Sequence, residues 1–199
     1  MWFTFAIGAA FFFGLRGILY QWTSQRAIDR NLMFTAMYFL SSMLLLVINI
    51  FANQMWSNGV WYGILMGICS YMANTFLYKG YAIGRASVMA FFSGLTPVLV
   101  ALLAALLWEE TLTLTQLAGF CIIVLSLIVI RLRSQLHTGT YQGWQFGLVA
   151  IILYSFTDLL SKQALLYGVS ILPLLTMMFA TSTLLFFRTC MPVSFLKNH

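Results

Sequence analysis

Seven long apolar stretches alternate with short polar segments along this chain. The stretches cover residues 2–20, 32–52, 60–77, 87–108, 114–130, 144–160 and 169–187. The fourth stretch carries no charged residue, and at about 1.5 Å of rise per residue a helix of its length spans a hydrocarbon core roughly 30 Å thick. The pattern therefore predicts an all-α integral membrane protein, a bundle of seven transmembrane helices.

The composition agrees with a surface that faces lipid. Hydrophobic residues make up 62% of the chain and charged residues 7%, against about 25% charged residues in an ordinary soluble domain. So few charges cannot cover a surface that faces water. Tryptophan prefers the headgroup level of a bilayer, and every tryptophan falls at a predicted span end. These residues are Trp2, Trp22, Trp56, Trp61, Trp108 and Trp144.

Several functional classes are disfavoured by the sequence. The phosphate-binding pattern GxxxxGK[ST] does not occur, which argues against ATP coupling within the chain. Cys69, Cys121 and Cys190 lie in separate apolar stretches without CxxC spacing, and His137 and His199 have no partner at metal-ligand spacing. The net charge of +6 is dispersed among the loops instead of forming a nucleic-acid-binding stripe. We therefore expect no cofactor, no metal, no nucleic acid and no enzymatic activity.

One hairpin, residues 78–130, combines small residues, a proline within the first helix and a glutamate at the turn. The positions concerned are Ala82, Ala86, Ser87, Ala90, Leu95, Pro97, Glu109, Leu112, Thr113, Gln116 and Gly119. In this order they resemble the repeat unit of the EamA-type family of the drug/metabolite transporter superfamily. The resemblance implies a membrane transporter of ten helices, and it assigns a structural role to Ala86, Ser87, Pro97, Glu109 and Gly119.

A weak internal repeat relates the sixth span to the first. Superimposing them pairs Phe12 with Tyr154, Arg16 with Asp158 and Gln21 with Gln163. Because five spans separate the copies, the second inserts upside down, as in the inverted repeats of many secondary transporters. We expect a first five-helix repeat over residues 1–133, a cytoplasmic linker over 134–143, and the two-helix start of an incomplete second repeat over 144–199.

The distribution of basic residues predicts the orientation in the membrane. The segments after spans one, three, five and seven hold Arg26, Arg30, Lys79, Arg85, Arg131, Arg133, Arg188 and Lys197. The opposite side offers little beyond Lys162. The positive-inside rule places the basic segments in the cytoplasm and the N-terminus outside a cell membrane.

Arg16 is the most costly side chain of the first helix, at about 2.5–3.5 kcal/mol in mid-bilayer. One interpretation is a cation that contacts substrate in a central cavity, suited to a carboxylate or phosphate. The other is snorkelling, in which the long side chain reaches the headgroups near Trp22. Both interpretations stay open at this point.

Asp158 resembles the mirror image of Arg16, near the outer end of span six. It can pair with Lys162 at i+4, or face the cavity and exchange a proton during transport. If spans one and six are antiparallel, Arg16 and Asp158 differ in depth by about 12 Å. We therefore expect them to occupy opposite halves of a cavity without bonding to each other.

Two features of the hairpin have a structural and a functional interpretation. Pro97 leaves the carbonyl of Ser93 without its helical donor, and the resulting kink either serves packing or opens a pocket at mid-membrane. Glu109 favours the N-terminal dipole of the next helix, which Thr113 can cap, or it takes part in coupling.

The aromatic residues Tyr71, Phe91 and Tyr154 complete the candidate substrate site, which consists of Arg16, Tyr71, Phe91, Pro97, Tyr154 and Asp158.

The leading hypothesis is a secondary transporter that moves a small metabolite or drug-like solute by alternating access. The alternative is a truncated or partner-dependent transporter fragment without independent activity, which would need a second copy or another chain to supply missing helices. Transport by the lone chain would distinguish the two. A membrane-embedded enzyme is disfavoured, because clustered acids, histidines or cysteines are lacking.

Overall fold

The structure is a computed structural model that describes residues 2–84, 86–109, 113–135 and 143–195. The described residues form α1 (Trp2–Ser24), α2 (Arg30–Ala52), a 3-10 turn (Asn58–Val60), α3 (Trp61–Ile83), α4 (Ala86–Trp108), α5 (Leu114–Gln135), α6 (Trp144–Leu166) and α7 (Ile171–Phe195). Outside the described part lie Arg85, Leu112, His137, Lys197 and His199, most of the predicted linker 134–143, and the side chains of Arg131 and Arg133.

The seven helices fall where the hydrophobic pattern predicts them, which confirms the helical membrane bundle. All of the described helices except α5 are long and apolar enough to cross a membrane, and α5 contributes the shorter apolar stretch Leu114–Val129. Several helices continue beyond the predicted apolar spans, as α3 does through the exposed Lys79 to Ile83. A helix keeps its backbone hydrogen bonds past the apolar span, so hydropathy alone does not mark its end.

Polar side chains mark the helix ends instead. The Asp29 carboxylate accepts hydrogen bonds from the backbone N–H groups of Asn31 (2.9 Å) and Leu32 (3.3 Å) at the start of α2. At the start of α5, the Thr113 N–H donates to Gln116 Oε1 (2.9 Å) and the Gln116 N–H donates to Thr113 Oγ1 (3.4 Å). This reciprocal pair is a capping box, and the predicted capping role of Thr113 is confirmed.

Helix α3 lies at the centre of the bundle. It packs along both α6 and α7, while α2 covers the other side of α7 and α4 packs on α6. Two glycines of α3 allow the close approach to α7: a Cβ atom at Gly63 would lie 2.6 Å from the Leu174 carbonyl oxygen, and one at Gly67 would lie 2.7 Å from that of Met178. In contrast, α1 rests on α3 and α4 over a small area.

The contacts between loops fix the relative direction of the helices. At one end of the bundle, the Asn31 side-chain amide donates to the Thr189 carbonyl (3.2 Å), so α2 begins where α7 ends. At the other end, the Leu172 N–H donates to Gln54 Oε1 (3.0 Å), so α2 ends where α7 begins. Since α1 ends beside the start of α2 and α6 ends beside the start of α7, α1 and α6 run in opposite directions.

We call the end that holds Asn31 and Thr189 the basic end, because the described basic residues Arg26, Arg30, Lys79 and Arg188 lie there. Lys162 lies near the opposite end, where its Nζ stands 4.6 Å from the ring centroid of Trp108. The antiparallel relation of α1 and α6 is the one that an inverted repeat requires. The five-helix repeat and its boundaries stay predictions.

Candidate functional site

Arg16 lies among aromatic rings at about the middle of the bundle. Its guanidinium carbon is 4.5 Å from the ring centroid of Phe13, 5.4 Å from that of Tyr20 and 5.9 Å from that of Tyr154. Phe13 and Tyr20 belong to α1 itself, whereas Tyr154 comes from α6. Cations are attracted to the faces of such rings. The guanidinium is therefore held between α1 and α6 inside the bundle.

A buried amide fixes two of these three rings. The Oδ1 atom of Asn74, on α3, accepts hydrogen bonds from the hydroxyl groups of Tyr20 (3.2 Å) and Tyr154 (2.8 Å). Its Nδ2 atom donates to the hydroxyl of Tyr38 (2.6 Å) and to the carbonyl of Ser70 (2.9 Å). One side chain thus joins α1, α2, α3 and α6 directly beside the guanidinium.

A cavity of about 590 Å³ opens between α1, α4 and α6, and we call it the central cavity. Arg16, Tyr154 and Asp158 line it. The remaining wall consists mainly of small residues, among them Ala9, Ala10 and Gly14 of α1 and Ser93, Gly94 and Thr96 of α4. Its size is within the range of small-molecule sites, about 300–1,000 Å³.

A second cavity of about 350 Å³ lies on the other side of the α1–α4 contact, against α3. Arg16 lines this cavity too, together with Tyr20, Tyr81 and the predicted motif residues Ala86 and Ser87. We call it the α3 cavity. Arg16 therefore borders both of these adjoining spaces, and it also lines a third cavity, of about 320 Å³, between α1 and α2.

The central cavity has one charged side chain toward each end of the bundle. Arg16 precedes the last residue of α1, at the basic end, by about 12 Å of helix rise. Asp158 precedes the last residue of α6, at the opposite end, by a similar distance of about 12 Å. Both residues line this one cavity. Asp158 is exposed, so its carboxylate is accessible from the cavity.

Pro97 lies inside α4, which continues as one helix on both sides of it. The proline and its neighbours Ser93, Gly94 and Thr96 line the central cavity. Proline cannot donate a hydrogen bond to the carbonyl four residues earlier, which here belongs to Ser93. The carbonyl that loses its helical partner is thus on a residue of the cavity wall.

Two of the predicted site residues lie elsewhere. Tyr71 packs against Phe186 of α7, with ring centroids 4.5 Å apart, as part of the core around α2, α3 and α7. Phe91 packs edge to face on Phe92 at 5.7 Å. Neither residue is among those that line the cavities described above. Of the predicted site, Arg16, Pro97, Tyr154 and Asp158 come together.

The remaining motif residues lie in the α4–α5 hairpin. Glu109 is exposed at the turn and has a positive φ of 52°. Gly119 of α5 is half-buried, and nothing lies within 4 Å of the position that a Cβ atom would take there. Glu109 therefore lies at the turn, away from the residues that line the central cavity.

Sequence reasoning missed Asn74, which organises the rings around Arg16. Its signal was a lone amide in an apolar span, since polar side chains inside membrane helices usually bond to neighbouring helices. Thr96 and the small wall residues Ala9, Ala10 and Gly14 were missed as well, because residues of these types are common on any face of a membrane helix. Only the packing of α1, α4 and α6 brings them together.

Comparison with known proteins identifies the family. Residues 1–132 match the model of the EamA-like transporter family. No curated protein and no solved structure matches the chain. The match spans more than half of the chain, and it agrees with the helical membrane bundle. The chain therefore belongs to the EamA-like transporter family.

Proposed function

We propose that the protein is a secondary transporter that moves a small organic solute across a cell membrane by alternating access, with the central cavity as its cargo site. The main observation that supports this proposal is the cavity itself. About 590 Å³ of space between α1, α4 and α6 is bordered by Arg16 and Asp158, which are costly inside a membrane. Transporters hold their cargo near mid-membrane, where their repeats meet.

The packing of α1 supports a moving part. This helix touches α3 and α4 over a small area, whereas α3 is locked to α7 by close backbone contact at Gly63 and Gly67. Within the described residues, the part of α1 that precedes Arg16 and Tyr20 lacks the hydrogen bond and ring contacts that hold those two residues, and a weakly packed segment beside a rigid core can shift at low cost. Movement of α1 against α4 would open the cavity toward one side of the membrane and close it toward the other.

Two residues of the cavity have the chemistry that such a cycle uses. The Ser93 carbonyl, which Pro97 deprives of its helical donor, is available to water or cargo in the cavity. The Asp158 carboxylate can take up and release a proton as the cavity changes sides. We propose Asp158 as the group that couples transport to a proton gradient.

The experiment is transport by the purified chain in proteoliposomes. Preloaded vesicles would be tested for counterflow with labelled amino acids, organic carboxylates and aromatic cations. Gly14→Leu fills the central cavity, and nothing lies within 4 Å of an added Cβ atom there. We expect transport to fall at least about tenfold, because the leucine occupies the space for cargo.

Gly8→Leu is the matched control. It lies on the same helix, its added Cβ atom also meets nothing within 4 Å, and it is not among the residues of the central cavity. Its transport should equal that of the unmodified chain. Equal transport by Gly14→Leu would remove the cavity from the mechanism. A folded chain that transports no solute of the panel would favour the partner-dependent alternative, in which a second copy or another chain is needed.

A further inference from the structure

Within the part of the chain that the structure describes, the guanidinium of Arg16 has aromatic neighbours but no acidic one. Among the residues that the structure describes, it lies over the rings of Phe13, Tyr20 and Tyr154 and interacts with the Tyr154 hydroxyl, and no carboxylate lies within ion-pairing distance. Aromatic faces attract a cation without neutralising it. A charge held inside a membrane protein usually has a counter-ion. Among the described residues, Arg16 is thus a half-buried cation without an anionic partner.

The guanidinium borders the spaces into which an anion could enter. Arg16 lines both the central cavity and the adjoining α3 cavity. Its planar array of donors matches the two oxygens of a carboxylate, which it can bind through two parallel hydrogen bonds. Because Asn74 holds the hydroxyl groups of Tyr20 and Tyr154, the rings on either side of the guanidinium are fixed before cargo arrives.

The other residues of the central cavity determine which groups a solute can carry besides the carboxylate that Arg16 binds. Ala9, Ala10 and Phe13 form an apolar wall on α1, which suits a hydrocarbon or aromatic group. Asp158 lies on the same cavity, displaced toward the end opposite the basic end. When Asp158 is ionised, its carboxylate would repel a second anionic group on the cargo. The cavity therefore favours one anionic group over two.

We infer that the cargo is an organic monoanion, bound through its carboxylate by Arg16 with its apolar portion against α1. This inference specifies the substrate class of the transport function proposed above and rests on it. Arg16 is the anion-binding residue, and Asn74 is a positioning residue that acts through Tyr20 and Tyr154.

Binding to the purified full-length chain in detergent tests the inference without requiring transport. The probes are 3-phenylpropanoate, its uncharged amide, and 3-phenylpropylammonium, at equal ionic strength, together with benzoate and octanoate. A separate arm uses the anionic lipid phosphatidylglycerol, because its phosphate has the same oxyanion chemistry. Binding is measured by the rise in the unfolding temperature and by titration, and helical content is checked by circular dichroism.

We expect at least one carboxylate to bind and its amide or neutral analogue to bind much more weakly. Arg16→Gln should weaken carboxylate binding by about tenfold to hundredfold, the range for a hydrogen bond to a charged group. Arg16→Lys keeps the charge without the paired donors and should show an intermediate loss. Arg26→Gln is the matched control, since Arg26 also lies over a ring, that of Trp22 at 4.1 Å, but outside the cavity. Its binding should be unchanged.

Several results would overturn the inference. These are equal or stronger binding of the amide or the ammonium compound, unchanged carboxylate binding by folded Arg16→Gln, binding of the anionic lipid alone, and no binding of any carboxylate by the folded chain. The proposed transport function fails separately. Carboxylate binding without counterflow would contradict transport only, whereas counterflow of neutral or cationic solutes that Arg16→Gln leaves intact would contradict the monoanion only.

Discussion

At the scale of single residues, the site depends on polar groups that an apolar interior makes expensive. The Arg16 guanidinium is placed among rings, and the Asn74 amide satisfies several hydroxyl groups at once. Inside a membrane protein, each such group needs a partner from a neighbouring helix. These residues therefore determine both which helices meet and what the cavity can bind.

The hydroxyl of Tyr154 provides a prediction about stability. Tyr154→Phe removes its hydrogen bond to Asn74 Oδ1 (2.8 Å), and we expect a loss of about 0.6–1.7 kcal/mol in the free energy of unfolding. Tyr71→Phe is the control, because the ring of Tyr71 packs on Phe186 and would keep that contact. Unfolding in mixed detergent measures both. Equal losses of unfolding free energy in the two variants would contradict the importance of the hydrogen bonds that Asn74 makes to Tyr20, Tyr38 and Tyr154.

Asp158 provides a prediction about energy coupling. Asp158→Asn cannot exchange a proton, so accumulation driven by a pH gradient should fall to the level seen without a gradient. Counterflow, which needs no proton movement, should continue. The matched control is Asp29→Asn, which removes a carboxylate at the surface while asparagine can still cap α2. If Asp158→Asn still accumulates solute against its gradient, the coupling group is another residue.

At the scale of helices, the bundle combines one rigid contact and one loose contact. Gly63 and Gly67 bring the backbone of α3 against α7, where Ser182 Oγ also donates to the Gly67 carbonyl (2.9 Å). Small residues at this spacing allow close packing of membrane helices. The contact of α1 with α3 and α4 is small by comparison. Motion is therefore expected in α1 and not along the α3–α7 interface.

Gly67→Ala tests the rigid contact. The added Cβ atom would lie 2.7 Å from the Met178 carbonyl oxygen and 2.7 Å from Thr181 Cβ, so the two helices must separate. We expect a loss of about 1–3 kcal/mol in the free energy of unfolding, as for other overpacked sites. Gly8→Ala on α1, where nothing lies within 4 Å, should be close to neutral. A neutral Gly67→Ala would show that the α3–α7 contact is not tight.

At the scale of the whole molecule, the two ends of the bundle differ in charge. The loop contacts place the described basic residues Arg26, Arg30, Lys79 and Arg188 together at one end. The positive-inside rule then predicts that this end faces the cytoplasm and that the N-terminus lies outside. The structure determines which loops share an end, whereas the side of the membrane is decided by charge.

Labelling of single cysteines tests this orientation. In a chain without Cys69, Cys121 and Cys190, Gln25→Cys would lie at the basic end and Ser57→Cys at the opposite end; both positions are exposed. An impermeant maleimide added to intact cells should label Ser57→Cys, and it should label Gln25→Cys only after permeabilisation. The reverse pattern would place the N-terminus in the cytoplasm. Labelling of both from outside would contradict the helix topology.

The sequence by itself determined the helices and the family. Long apolar spans must satisfy their backbone hydrogen bonds internally in a membrane, so hydropathy predicted each α-helix of the described residues. The order of residues in the hairpin around Pro97 and Glu109 indicated the EamA family that comparison then identified. Arg16 and Asp158 stood out as candidates because a charge in an apolar span is costly and rare.

Only the tertiary structure decided which residues share the cavity. Whether a side chain lines the cavity depends on which face of its helix packs against which neighbour. The sequence of a membrane helix that is apolar on all sides does not show which face that is. The ring of Tyr71 packs against Phe186, whereas Tyr154 contacts Arg16 and donates a hydrogen bond to Asn74. Hydropathy fixes where a chain crosses the bilayer, but the packing of α1, α4 and α6 creates the space between them.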